Sequence, residues 1–126
     1  MRRFAIFSLL TLTLAATQQW REIPMIVQDV EGVSPPKYIF IDTDGLANLS
    51  DLEFLYVFKD GVMKDNHGYL GLDTEQQLCM GFGESVPFEN GYFRYNDDPV
   101  FELCTDYIIR YNSGCQILKH IKITIP

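Results

Sequence analysis

The sequence predicts an all-β fold: a small β-sandwich of seven to eight strands with at most one short helix. Two observations carry this reading. Apolar and aromatic residues arrive in short, evenly spaced runs divided by Gly, Pro, Asn and Asp, and no window of a dozen residues keeps a helical period between capping residues. A chain of 126 residues with this pattern fits one sandwich and leaves no room for two domains. No internal repeat, linker or low-complexity segment is evident.

The chain opens M-R-R-F-A-I-F-S-L-L-T-L-T-L-A-A-T. Two positive charges, an apolar run from Phe4 to Leu14 and small residues from Ala15 to Thr17 read as a secretory signal cleaved after Ala16. The run is shorter than the ~20 apolar residues that span a bilayer, so no membrane span is expected. The organisation is therefore a signal peptide over 1–16 and a single domain over 17–126, exported and extracellular.

After the leader the candidate strands follow in order. They are Pro24 to Val30, Lys37 to Ile41, Leu52 to Phe58, Tyr69 to Leu72, Gln77 to Phe82, Gly91 to Tyr95, Val100 to Cys104, Tyr107 to Tyr111 and Ile117 to Ile125. Each is rich in β-branched or aromatic residues. Ile121, Ile123 and Ile125 alternate with Lys122 and Thr124, which is the pattern of a strand with one wet face. In the run from Leu52 both faces carry apolar residues, which suits a central strand. The one helix, if formed, falls near Leu46 to Leu52 or Asp73 to Gln77.

The leader takes Arg2 and Arg3 with it, leaving eight basic residues against seventeen acidic ones, a net charge of −9. Nucleic acid is therefore not an expected partner, since a phosphate backbone needs a basic patch. Three cysteines remain. Cys104 and Cys115 enclose the Asn112-Ser113-Gly114 turn signal and are expected to pair in an oxidising compartment; Cys79, between Leu78 and Met80, reads as a buried thiol. Asn48-Leu49-Ser50 is an acceptor sequon, so Asn48 is a candidate glycosylation site of a secreted glycoprotein.

Several motifs bear on chemistry. K-D-N-H-G-Y-L-G-L from Lys64 raises a metal or catalytic role for His67, but Asp65 and Gly68 are turn residues and a two-member Asp-x-His set falls short of a metal site. Asp42-Thr43-Asp44-Gly45 lacks the later acids of a calcium loop and reads as a turn. His120 precedes an alternating strand and suits packing at a sheet edge. Neither histidine sits beside a nucleophile in a hydrolase-type setting, so no enzyme, catalytic residue, metal or cofactor is predicted. The remaining functional candidate is N-G-Y-F-R-Y-N. Tyr92, Phe93, Arg94 and Tyr95 there are either a partner-binding patch or a core strand with tyrosines at its rim.

Three stretches carry a family resemblance: Asp65-x-x-Gly68-x-Leu70-x-Leu72 preceded by L-E-F-L-Y-V-F-K-D, then D-D-P-V-F-E-L from Asp97, then the ending I-I-R-Y-N-S-G-C-Q-I-L-K-H-I-K-I-T-I-P. Together they resemble the secreted transthyretin-like proteins of nematodes, which are prealbumin-like sandwiches. The likeness covers Leu52 to Pro126. The family's opening Val-x-Gly-x-Leu-x-Cys segment is not visible, its four cysteines are reduced to three, and Tyr92 to Asn96 looks inserted. The Tyr-Arg-Gly-Ser tail of the related hydroxyisourate hydrolases is replaced by Ile-Thr-Ile-Pro. The resemblance implies a non-enzymatic binding protein. It would recognise an extracellular protein or cell surface or carry a small hydrophobic ligand, as a monomer or homodimer. The alternative is a small secreted effector or inhibitor, on an unrelated sandwich, that binds a target protein.

Overall fold

Side-chain alternation is what the chain converts into sheet. The computed structural model describes residues 20–32, 35–81 and 83–126, so the expected signal peptide lies outside the described residues. The strands are β1 (Trp20–Ile23), β2 (Ile26–Asp29), β3 (Lys37–Ile41), β4 (Ala47–Ser50), β5 (Tyr56–Lys59), β6 (Val62–Asp65) and β7 (Gly68–Leu72). They continue with β8 (Leu78–Gly81), β9 (Glu84–Ser85), β10 (Phe88–Glu89), β11 (Tyr92–Phe93), β12 (Phe101–Cys104), β13 (Ile109–Arg110) and β14 (Ile117–Thr124).

One sheet runs β1-β5-β6-β7-β8 with β9 also on β7; the other runs β13-β12-β14-β2-β3-β4; β10 and β11 form a separate hairpin. Every pairing is antiparallel. Between β1 and β2 stand Pro24, which has no N–H to donate, and Met25, whose carbonyl accepts from Ile39 at 3.0 Å. The same length of chain thus serves as an edge of one sheet and an inner strand of the other. One apolar cluster joins the two sheets: Met63, Leu70, Leu72, Leu78 and Met80 from the first, and Ile39, Phe101, Leu103, Ile121 and Ile123 among those from the second. Burying each such side chain contributes about 1.5–3 kcal/mol.

The all-β class stands, and the described residues form more strands than expected. The surplus comes from pieces too short or too polar to show a period. In β6, V-M-K-D, Met63 is the only fully buried residue, and β1 is mostly exposed. The run expected from Leu52 to Phe58 begins its strand only at Tyr56, with Leu52 and Leu55 left exposed, yet β5 is an inner strand as its two-faced composition required. Of the two places expected for a helix, Leu46 to Leu52 contains β4 and Asp73 to Gln77 is a hairpin turn. No helix of the described residues is long and apolar enough to cross a membrane.

The reading that the chain has no repeat is corrected by its hydrogen bonds. The hairpins β3–β4, β7–β8 and β12–β13 turn on loops starting at Asp42, Asp73 and Cys104, each thirty-one residues after the last. In all three the first residue's N–H donates to the carbonyl four places on, and the fourth residue's N–H donates back to the first carbonyl. The fourth residue takes positive φ in each: Gly45 at 83°, Gln76 at 63° and Tyr107 at 68°. These are three-residue loops with a left-handed closing position.

The three hairpins also grip one another in rotation. Leu46 bridges to Cys79, Gln77 to Arg110 and Ile108 to Asn48. Beside each bridge a single bond repeats: Met80 N to Gly45 O at 2.7 Å, Tyr111 N to Gln76 O at 3.0 Å and Leu49 N to Tyr107 O at 3.2 Å. A trefoil-like cap of pseudo-three-fold symmetry results, which links the edge strand β8 to β4 and β13 and brings the two ends of the second sheet together. The repeat is hidden in sequence because the bonds are made by backbone, so the units need share only alternation and turn geometry.

Candidate functional site

Each cap turn is held by a different side chain. Asp42 Oδ1 accepts from the N–H groups of Asp44 and Leu46 at 2.9 and 3.0 Å, and Asp73 Oδ1 accepts from Glu75 and Gln77 at 2.9 Å each. The third turn has cysteine at this place. Cys104 is there joined to Cys115, with Cα atoms 6.0 Å apart, as the spacing predicts, and a disulfide is compatible with an extracellular setting. Asp106 adds a forked pair to Arg110 at 2.8 and 2.9 Å, and this hydrogen bonding holds its carboxyl below the ordinary carboxylate range.

His67 lies at the β6–β7 turn, as the sequence indicates, but it also reaches across to the first cap turn. Asp65 accepts from the His67 N–H at 2.7 Å and lies 3.1 Å from Nδ1, while Nε2 is 3.2 Å from the Thr43 carbonyl. A Cβ built on Gly45 would lie 3.6 Å from the imidazole, so the ring rests on that glycine. Both ring nitrogens face acceptors, and only the protonated ring donates from both. The hydrogen bond to Asp65, then the Thr43 carbonyl, with smaller help from the charges of Asp65 and Asp42, raise the His67 pKa. The ring lines an open cleft of about 320 Å³ with Asp44, Asp73 and Cys79. Cys79 itself is buried, and desolvation followed by the charge of Asp73 pushes its thiol pKa up, which disfavours a thiolate nucleophile.

A pKa raised in the folded state gives stabilisation that is complete below the ordinary histidine value of about 6.5 and is lost as pH climbs through the raised value. Thermal melts of wild type and His67→Gln should differ most in acid and converge on the alkaline side. A gap that stays constant with pH would show that the ring contributes by packing alone.

The aromatic stretch is placed as the rim-and-core alternative describes. Phe93 is fully buried, meeting Phe88 and Phe58 edge-on at 5.2 and 6.4 Å. Tyr92 carries the Lys122 ammonium over its ring at 4.9 Å. Arg94 donates to the carbonyls of Glu89, Asn90 and Asp97. Tyr95 donates its hydroxyl to Glu84 at 2.7 Å, which raises the phenol pKa, and packs on Tyr111. Asn48 stands opposite Phe40, half-buried, its amide donating to Asp42 Oδ2 and the Leu46 carbonyl at 3.0 Å each. A glycan there would replace one of those two hydrogens. His120 pairs with Glu102 across β14 and β12, with its side chain exposed.

Among the described residues the one grouping of metal-type ligands is Glu102, Cys104 and Cys115, and its sulfurs are spent on the disulfide. Exposed apolar groups around the first cap hairpin went unnoticed in sequence: Phe40, its ring tilted against Phe54 at 4.7 Å, and Leu52 and Leu55 in the connection that carries Phe54. Their signal was available in the exposed parity of Phe40 on β3, but the break in alternation before Tyr56 needed the fold to be seen. No family model, curated protein or solved structure matches the chain.

Proposed function

We propose that this chain is a secreted, non-enzymatic protein that acts outside the cell by binding another protein. The observation that carries the reading is the division between interior and surface. Inward positions of both sheets are filled by apolar side chains, whereas five clefts of about 270 to 440 Å³ among the described residues are open to solvent and each takes charged side chains into its lining. A carrier of a small hydrophobic ligand needs an enclosed apolar chamber. A recognition protein needs a rigid body with apolar groups outside, and Phe40, Leu52 and Leu55 supply them. Kinship with the transthyretin-like proteins, and a prealbumin-type arrangement of the sandwich, rest on the quoted motifs alone.

The test is expression of the full chain in a secreting host. Mass analysis of the medium should find the leader removed after Ala16, a gain of two hydrogens on reduction, and saturable binding to cells or matrix that unlabelled protein displaces. Full-length protein confined to the cytosol, or a stoichiometric apolar small molecule carried through purification, would overturn the proposal.

A further inference from the structure

The connection from β4 to β5 holds apolar groups in water by design of its hydrogen bonds. Ser50 Oγ accepts from the Leu52 N–H at 3.0 Å and donates to the Leu52 carbonyl at 3.1 Å, fixing a bend at Asp51 and Leu52. Leu52 is 68% exposed, Leu55 55% and Phe40 36%, with the Phe54 ring tilted against Phe40. Clustered exposure of this kind marks an interaction surface, whereas isolated exposed leucines do not.

Charge along this part of the chain is mainly negative. From Tyr38 to Phe58 the chain carries Asp42, Asp44, Asp51 and Glu53 and no lysine, arginine or histidine. Lys37, just before this stretch, is paired with Asp51. The exposed Ile117 and Leu118 of β14, in contrast, sit beside Lys119 and His120.

We infer that the Phe40, Leu52, Phe54 and Leu55 face docks a segment of another protein in which apolar side chains are flanked by lysine or arginine. This rests on the binding-protein reading above. Apolar contact would supply affinity, and the acidic rim would steer the cationic flanks and set the register. The same acids, in excess over Lys37, repel an anionic membrane surface and a second copy of this face.

The probe is a synthetic amphipathic peptide of leucine and lysine, with a leucine–glutamate peptide as counterpart, titrated into the secreted chain labelled with ¹⁵N. Amide shifts should centre on Phe40 and on Leu52 to Leu55, with affinity for the lysine peptide falling as salt is raised. Leu52→Ser combined with Leu55→Ser should weaken that binding at least about ten-fold while leaving the amide spectrum dispersed; Leu118→Ser should leave binding unchanged. Shifts spread over other acidic surfaces, equal affinity for the glutamate peptide, or concentration-dependent self-association through this face without peptide would overturn the inference. A double variant that still binds cells like wild type would also overturn it while leaving the binding function in place; absence of cell binding by wild type itself would instead remove that function.

Discussion

Phe93→Ala should lower unfolding stability by about 3–5 kcal/mol, read as a shift of the urea midpoint at constant slope. The ring is fully buried and joined edge-to-face with Phe88 and Phe58, so truncation removes its transfer free energy, leaves a cavity, and breaks both aromatic contacts. The site cannot collapse easily. β11 is held opposite β10 by its pairing, and Gly91, in the turn between them, accepts from the Thr124 hydroxyl of β14 at 2.7 Å. A domain of this size has a total stability of about 5–15 kcal/mol, so the variant would be near the edge of folding. Tyr92→Ala, one residue away, should cost far less, because its ring is partly exposed and its chief partner is the Lys122 ammonium. Equal losses at the two positions would contradict the placement of Phe93 in the core and Tyr92 at its rim.

Converting Cys104 and Cys115 to serine should cost about 3 kcal/mol by freeing an eleven-residue span in the unfolded chain. The loss should concentrate in the third hairpin. The other two cap turns keep an aspartate that accepts two backbone N–H groups, whereas at Cys104 the covalent link stands in that place and Asp106, besides its pair with Arg110, accepts the single backbone N–H of Ile108. Cys104 is also fully buried, so a serine there adds a desolvated hydroxyl to the effect. Hydrogen exchange of the double variant should show the amides of Leu49 and Tyr111, which cross between hairpins, losing protection before those of β6 and β7. Uniform loss across both sheets would indicate that the cap is not a separable unit.

Much of the secondary structure was readable wherever apolar residues recur through a run of four residues or more. Lys37–Ile41, Gly68–Leu72, Phe101–Cys104 and Ile117–Thr124 lie close to the runs that announced them. Strands of two to four residues with a single inward side chain were not readable, because a period needs repetition to be detected. The site showed the same limit. Asp65 and Gly68 declared a turn, and the turn is there, but the partner of His67 on its far side, Thr43, is twenty-four residues away. Phe93 and the tyrosines beside it looked alike in sequence and were separated only by what packs over them.

Taken by itself, the sequence determined the all-β class, the turns, the pairing of Cys104 with Cys115 and the acidic balance, since each follows from local conformational preference, covalent spacing or composition. Tertiary structure alone decided the three-fold cap, the bridging role of His67 and which aromatic residues face water. Those depend on hydrogen bonds to backbone and on burial between different elements of the fold, and neither leaves a mark on the identity of any single residue.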